Sequence, residues 1–173
     1  MSSPTAVDPS DIAIDTSIAV PLLIANHPDN EHLRAWASTR RLRLSGHAAI
    51  ETYAVITRLP GEMRVAATDA IRLLEANFAE PLMLSATATA RASSELALRG
   101  VCGGATYDGL VALAAKEAGL VLATRDTRAL STYDALHAAT EVVPSLTAEV
   151  VPSLTAEVVP SLTAEVVPSL TAE

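Results

Sequence analysis

The sequence predicts an α/β fold of three layers, in which a mostly parallel central sheet is flanked by helices. Short apolar runs alternate along the chain with longer segments whose apolar residues recur at helical spacing. Glycine follows several of the longer segments, as at Gly100 and Gly119, where it is expected to end a helix. Strands that alternate with helices form βαβ units with right-handed crossovers, which favours parallel pairing.

The first element is the apolar run Ile12-Ala13-Ile14, which predicts a buried strand because β-branched Ile dominates it. The predicted strands cover residues 12–15, 42–44, 82–84, 120–124 and 141–143. The predicted helices cover residues 17–25, 30–40, 47–59, 69–78, 87–99 and 107–118, and a short helix or turn covers 127–137.

Side-chain chemistry predicts some details of these helices. A hydroxyl of Thr16 or Ser17 is expected to cap the first helix, and Thr106 is expected to cap the helix that follows Gly103-Gly104. The residues expected to face the core from the third helix are Ile50, Ala54 and Ile56.

One domain is expected to occupy most of the 173 residues, since this length is ordinary for a single core. Residues 1–10 are polar and predict a flexible leader. The octapeptide Glu-Val-Val-Pro-Ser-Leu-Thr-Ala then occurs four times without a substitution over residues 141–172, a period that fits no familiar repeat architecture. We therefore expect the domain over 11–148, with the first copy as its last strand, and a repeat tail over 149–173 that is disordered or artefactual.

Composition excludes several classes of protein. No apolar run approaches the roughly 20 residues that span a bilayer, and no secretory signal is visible. Cys102 is the single cysteine, which excludes an internal disulfide framework or a Cys-based zinc site and fits a reducing cytosol. Only 3% of residues are aromatic, so few rings can stack on bases. The candidate stacking residues are Trp36, Tyr53, Phe78, Tyr107 and Tyr133.

The formal net charge of −8 is unevenly distributed. Residues 141–173 contain five Glu and no Lys or Arg, so residues 1–140 carry 15 acids and 12 bases. The overall acidity argues against nucleic acid as a partner, but the acids of a metal site, offset by a bound divalent cation, would account for much of the excess. Eleven of the bases are Arg, which suits bidentate phosphate contacts better than Lys does.

Asp15 ends the first predicted strand, at the edge where open α/β sheets bind their ligands. An acid at the end of an apolar strand loses hydration and needs a cation or a donor nearby. Taken alone, the stretch favours the simpler interpretation that Asp15 only caps a helix. Three acids later in the sequence make a functional role for Asp15 the better interpretation.

Four acids fall at comparable places in the predicted fold: Asp15, Glu51, Asp108 and Asp126. Asp126 follows the strand over 120–124, so a parallel sheet would bring it to the same edge as Asp15. Asp108 lies in the first turn of a helix, where the dipole favours an anion. Converging carboxylates repel, which raises the pKa of at least one unless a hard cation such as Mg²⁺ or Mn²⁺ joins them. Such sites serve phosphoryl chemistry.

Four short motifs carry a resemblance to a known family: Ile14-Asp15-Thr16-Ser17, Ala49-Ile50-Glu51-Thr52, Tyr107-Asp108-Gly109-Leu110-Val111-Ala112 and Ala123-Thr124-Arg125-Asp126. In this order and spacing they resemble the PIN domain, in particular VapC-type toxins of bacterial toxin–antitoxin pairs. The resemblance covers about residues 11–143. Tyr-Asp-Gly-Leu replaces the commoner Asp-Ala-Leu form, and the repeats have no counterpart. The resemblance implies a three-layer PIN-like fold and a Mg²⁺- or Mn²⁺-dependent ribonuclease.

The resemblance also implies roles for the four acids. Asp15 and Asp108 would bind the metal, and Asp126 would bind it directly or through water. Glu51 would be a ligand or would position water, although an exposed helical acid remains the alternative for it.

Other polar residues near these acids also receive roles. Thr124 and Ser17 match polar positions of the family and would orient ligands or waters. Arg125 and Arg128 follow the last strand and could contact RNA phosphate, with a local ion pair as the alternative for each. A short basic cluster could track an RNA backbone or simply end the second helix, and its members are Arg40, Arg41 and Arg43.

The partners implied by the resemblance are an RNA substrate (transfer, ribosomal or messenger), a cognate antitoxin and a second copy of the chain in a homodimer. The antitoxin's C-terminal segment would lie in an apolar groove, and simple core packing is the alternative for the apolar residues concerned. Those residues are Leu22, Leu23, Leu33, Trp36, Leu73, Leu74 and Phe78.

Two other functions compete with a nuclease. A catalytically weak PIN-like module would bind RNA or protein, but the presence of all four acids argues against it. An aspartyl-phosphate phosphatase would use Asp15 as nucleophile, but that family expects a second Asp where Ser17 stands.

Overall fold

A computed structural model describes residues 8–145 of the chain. The strands are β1 (Asp11–Ile14), β2 (Arg41–Ser45), β3 (Ala79–Leu82), β4 (Leu122–Thr124) and β5 (Thr140–Val142). The helices within these residues are α1 (Thr16–Leu23), α2 (Asn30–Ala37), α3 (Ala48–Ile56), α4 (Ala67–Asn77), α5 (Ala86–Leu98), α6 (Ala105–Glu117) and α7 (Leu130–Ala135). A 3₁₀ turn covers Gly61–Met63. Residues 1–7 of the predicted leader and the whole predicted repeat tail lie outside the described residues.

The five strands form one sheet in the order β3-β2-β1-β4-β5, and each neighbouring pair is parallel. The predicted α/β fold with a mostly parallel sheet is therefore confirmed. From β1 the chain builds β2 and β3 on one side and later returns to build β4 and β5 on the other. The boundary between β1 and β4 is thus the switch point at which parallel sheets open a ligand crevice.

The two strands at this boundary are buried, as expected for a parallel sheet covered by helices. Ile14, Leu122 and Ala123 have no exposed surface. Small side chains on α6, among them Ala112 and Ala115, are also fully buried. No helix among residues 8–145 is long and apolar enough to cross a membrane.

Two predicted helix caps are wrong. Asp15 itself caps α1, because its side chain accepts a hydrogen bond from the backbone N–H of Ser17. The hydroxyl of Thr16 instead donates to Glu51. The residue that precedes α6 is Gly104, without a side-chain cap bond, and Thr106 lies inside the helix.

The prediction for the inner face of α3 is wrong for Ile50, which is 71% exposed, and correct for Ile56, which is fully buried. Ala54 is half-buried. The buried stripe runs through Ala48, Thr52 and Ile56, at a spacing of four residues. Ile50 lies off that stripe, so its apolar side chain belongs to the protein surface and not to the core.

Gly46 brings α3 close to α6. Its φ of +55° lies in the left-handed region, and a Cβ there would stand 2.6 Å from the carbonyl oxygen of Leu110. The neighbouring Ser45 donates from Oγ to the carbonyl of Val111 over 2.7 Å. These contacts fix the start of the helix that carries Glu51 beside the helix that carries Asp108.

Core packing accounts for most of the residues predicted to form an apolar groove. Leu22, Leu33 and Phe78 are buried, and Leu23, Trp36 and Leu74 pack against the core. An apolar groove of about 530 Å³ lies between α3, α4 and β3. Leu74 and Phe78 contribute to its lining, together with the exposed residues Ile50 and Ile71.

Candidate active site

An acidic cleft of about 350 Å³ opens at the carboxyl edge of the sheet. It is lined by the four acids that the sequence singles out, which are Asp15, Glu51, Asp108 and Asp126. They come from the end of β1, from α3, from the first turn of α6 and from the loop after β4. Asp11 lies at the opposite end of β1, where it pairs with Arg41 and Arg43.

Asp15 is buried and accepts four hydrogen bonds. Its Oδ1 receives the backbone N–H of Ser17 over 3.0 Å and the Ser17 hydroxyl over 2.5 Å. Its Oδ2 receives the hydroxyl of Thr124 over 2.5 Å and that of Tyr133 over 3.1 Å. Burial raises the pKa of Asp15, and the hydroxyl donors oppose that rise. Asp15 therefore caps α1 and lines the cleft at the same time.

Asp126 is held ionised by an arginine two residues away. Arg128 donates from Nε over 3.0 Å and from a terminal nitrogen over 2.9 Å, one bond to each carboxylate oxygen. The hydrogen bond from Arg128 is the main cause of a lowered pKa at Asp126. Because the Arg128 side chain is 90% exposed, it is accessible to a ligand in the solvent.

Asp108 shows that the four acids share one electrostatic environment. Partial burial raises its pKa, and the charges of Asp126, Glu51 and Asp15 raise it further. Glu51 is exposed on α3 and accepts a hydrogen bond from the Thr16 hydroxyl over 2.7 Å. Its carboxylate is thus turned to the cleft rather than projecting away from the domain.

The arginines near the site do not all face it. Arg125 is turned inward and pairs with the buried Asp29, so it is not placed to meet an RNA phosphate. The predicted basic cluster is also divided, because Arg40 stacks on Trp36 while the other two members pair with Asp11. For Arg125 the structure shows the local ion pair that was its alternative. Arg40 donates to the carbonyl of Trp36 in the last turn of α2, as its alternative predicted, whereas Arg41 and Arg43 lie in β2.

The donor set suits a hard divalent cation. All four acids supply carboxylate oxygens, the ligands that Mg²⁺ and Mn²⁺ prefer. The pKa of Asp108 is raised by burial and, in addition, by repulsion from the other three acids, and a cation would remove that repulsion. Among residues 8–145, no group of three or more His, Cys, Asp or Glu side chains is already arranged to hold an ion. Binding would require an exchange of partners at Asp15 and Asp126, whose oxygens already accept hydrogen bonds.

Two residues next to the site gain roles that sequence reasoning did not give them. Tyr133 lines the cleft through its hydroxyl and is otherwise buried, so it is not a stacking platform. Burial and the nearby carboxylates raise its pKa, which keeps the phenol protonated and a donor. Asp29, the partner of Arg125, lies in a turn between helices and belongs to none of the four sequence motifs. Its position within an Asn-His-Pro-Asp stretch signals only a turn.

The fold and the cleft define a parallel α/β domain with four carboxylates at the switch point of its sheet. The family model of the PIN domain matches residues 12–135. The chain therefore belongs to the PIN-domain family, which confirms the resemblance drawn from its four motifs.

Two similar proteins from Mycobacterium tuberculosis are named as ribonucleases of the VapC type. The chain is 50% identical to Ribonuclease VapC27 over 123 residues, which covers 71% of this chain and 90% of the relative. It is 41% identical to Ribonuclease VapC40 over 133 residues, which covers 76% of this chain and 98% of that relative.

Solved structures agree on the fold. The crystal structure of VapBC2 from Rickettsia felis bound to a promoter DNA fragment matches with a TM-score of 0.55 at 18% identity, over 78% of this chain and 99% of that one. FitAcB from Neisseria gonorrhoeae matches with a TM-score of 0.51 at 22% identity, over 75% of this chain and 95% of that one.

Proposed function

We propose that this protein is a metal-dependent endoribonuclease toxin of the VapC type, neutralised by a cognate antitoxin. The observation that carries the proposal is the convergence of Asp15, Glu51, Asp108 and Asp126 on one cleft at the switch point of the sheet. The 50% identity to a protein named Ribonuclease VapC27 supports RNA as the substrate.

Asp15, Asp108 and Asp126 would hold Mg²⁺ or Mn²⁺, with Glu51 as a further ligand or as the group that positions water. When bound, such a cation activates water and stabilises the attacking and leaving oxygens of an in-line displacement at phosphorus.

The chain's own residues prepare the site for this chemistry. Ser17 and Thr124 orient the carboxylate of Asp15 through its two oxygens. Thr16 holds Glu51 toward the cleft. Arg128 provides an exposed planar cation that binds a phosphate of the RNA backbone once it leaves Asp126.

The partners follow from the same family. Membership of the PIN-domain family and the 50% identity to a VapC protein support a complex with a cognate antitoxin, and the proposal includes a homodimer. The substrate is a transfer, ribosomal or messenger RNA, whose loops would be recognised by shape as much as by sequence.

The test is cleavage of total RNA by the purified protein in Mg²⁺, Mn²⁺ or EDTA, compared with an Asp108→Asn variant. We expect defined fragments that disappear in EDTA and in the variant. Asp69→Asn, which changes an exposed carboxylate on α4, is the matched control and should cleave like the parent protein. A folded, antitoxin-free sample that cleaves neither ribosomal nor transfer RNA would favour the binding module instead.

A further inference from the structure

A buried ion pair lies next to the acidic cleft, and one of its members directly precedes Asp126 in the sequence. The carboxylate of Asp29, just before α2, pairs with the guanidinium of Arg125, the residue between Thr124 and Asp126. The side chains of this pair are 2% and 10% exposed. We propose that Asp29 and Arg125 are positioning residues that hold the loop carrying Asp126 at its correct distance from Asp15. The inference rests on the proposed function, since it assigns these residues a task at that metal site.

Two hydroxyl bridges connect this loop to Asp15. The backbone N–H of Arg125 donates to Oγ of Ser17 over 2.7 Å, and that hydroxyl donates to Oδ1 of Asp15 over 2.5 Å. The backbone N–H of Asp126 donates to Oγ1 of Thr124 over 3.0 Å, and that hydroxyl donates to Oδ2 of Asp15 over 2.5 Å. Two successive amides are therefore linked to the two oxygens of one carboxylate, so a small movement of the loop would break both bridges.

The ion pair anchors the other side of the loop. One terminal nitrogen of Arg125 binds Asp29, and the other lies 3.4 Å from the carbonyl oxygen of Ser17. Asp29 is itself well fixed, because the next residue, Asn30, donates to two carbonyl groups in α1. Ser145, which follows β5, also donates to the Asp29 carboxylate over 3.1 and 3.2 Å. Asp29, together with its neighbour Asn30, thus connects α1 and the residue after β5 to the loop that bears Asp126.

The burial of this pair favours a role in geometry over a role in stability. Removing two charges from water is costly, and replacement of a buried pair by well-packed hydrophobic residues of similar volume is often neutral or even stabilising. Removing one partner is worse, because the other charge stays buried and uncompensated. A test must therefore neutralise both residues together. A displaced loop can then be distinguished from an unfolded domain.

The experiment compares the wild-type protein with Asp29→Asn/Arg125→Gln in two measurements. The first is hydrogen exchange at the amides of Arg125 and Asp126 without metal, which we expect to become faster by about tenfold, while exchange in β1 is unchanged. The second is Mn²⁺ affinity without RNA, which we expect to fall by about tenfold, as for other residues that orient metal ligands. In RNA cleavage, kcat should fall while KM stays the same.

The matched control is Asp11→Asn, which breaks another ion pair with a buried carboxylate at the opposite end of β1. It should lower the melting temperature and leave both the two amides and the Mn²⁺ affinity unchanged. If the double variant does not fold, Arg125→Lys, which keeps the charge but loses the planar fork, should show faster exchange at the same amides. Unchanged exchange in a folded variant overturns the inference, whereas a wild-type protein that binds no Mn²⁺ overturns the proposed function.

Discussion

The hydroxyl of Tyr133 donates a hydrogen bond to Oδ2 of Asp15 over 3.1 Å, inside the acidic cleft. The same oxygen accepts the hydroxyl of Thr124, so both of its lone pairs are engaged. A cation that binds this oxygen must displace one of the two donors. The hydrogen bond from Tyr133 is the longer of the two, at 3.1 Å against 2.5 Å for Thr124. We therefore expect the cation to displace the Tyr133 hydroxyl.

Replacing Tyr133 with Phe should therefore destabilise the metal-free protein more than the metal-bound protein. The variant keeps the buried ring and loses one donor to a buried carboxylate, so we expect the free energy of unfolding to fall by about 1 kcal/mol. In saturating Mn²⁺ the loss should shrink, because the metal occupies the vacated position. Urea unfolding with and without Mn²⁺ measures both values. Tyr107→Phe, at a tyrosine that is 64% exposed, is the control and should change neither.

Asp108→Asn should stabilise the metal-free protein while it abolishes cleavage. Folding raises the pKa of Asp108 through burial and through the negative charges of Asp126, Glu51 and Asp15. Between the unfolded and the folded pKa, the folded state therefore binds more protons than the unfolded chain. Ionised Asp108 therefore lowers the free energy of unfolding at neutral pH. Because the group is only partly buried, we expect the variant to gain no more than about 1 kcal/mol at pH 7. The gain should vanish at about pH 3, where Asp108 is protonated in both states.

Asp126→Asn should have the opposite effect on stability with the same loss of cleavage. Arg128 lowers the pKa of Asp126, so its stabilising contribution is present above the unfolded pKa and disappears as the pH falls through the folded value. The asparagine variant should therefore be less stable than the parent at pH 7 and no less stable in acid. Thermal unfolding of the Asp108→Asn and Asp126→Asn variants from pH 7 to about pH 3 measures both effects. Equal shifts in melting temperature for the two variants would contradict the opposite pKa shifts of Asp108 and Asp126.

Arg128→Ala should change the affinities for metal and RNA in opposite directions. Its guanidinium competes with a metal for Asp126, so its removal should tighten Mn²⁺ binding. Loss of a phosphate contact should weaken RNA binding and reduce the slope of log affinity against log salt by about one. Titrations with Mn²⁺ alone, and with RNA in EDTA, measure these effects separately. Arg72→Ala, at an exposed ion pair on α4, should change neither. A fall in both affinities would contradict the prediction.

The sequence predicted the fold because its signals are local and agree with one another. Buried strands rich in Ile and Leu, separated by helical segments, leave little choice but a parallel sheet. The same topology explains why Asp15 and Asp126 could be placed at one edge, since β1 and β4 are parallel neighbours. Helix ends were less predictable, because a capping acid and a capping hydroxyl compete at Asp15 and Thr16 and only tertiary contacts decide between them.

What the sequence could not predict depends on contacts between distant residues. Asp29 and Arg125 are separated by 96 positions, and neither belongs to a spacing that signals an ion pair. Tyr133 lies 118 positions from Asp15, on a helix of six residues with no clear pattern. Ile50 has the apolar character of a core residue, yet the buried stripe of α3 passes through Thr52. Burial of a polar side chain is set by its partner, which a local pattern does not contain.

The apolar groove between α3, α4 and β3 should contribute to binding of the antitoxin. Ile50 is 71% exposed and Ile71 46% exposed, and exposed apolar surface of this kind marks an interaction site. A charge at Ile50 would have to be desolvated when an apolar segment binds, so Ile50→Glu should weaken the antitoxin complex by about tenfold or more. Leu98→Glu is the matched control, because Leu98 is 85% exposed on α5 and does not line the groove. Calorimetric titration with the antitoxin gives both affinities, and equal affinities for the two folded variants would place the antitoxin elsewhere.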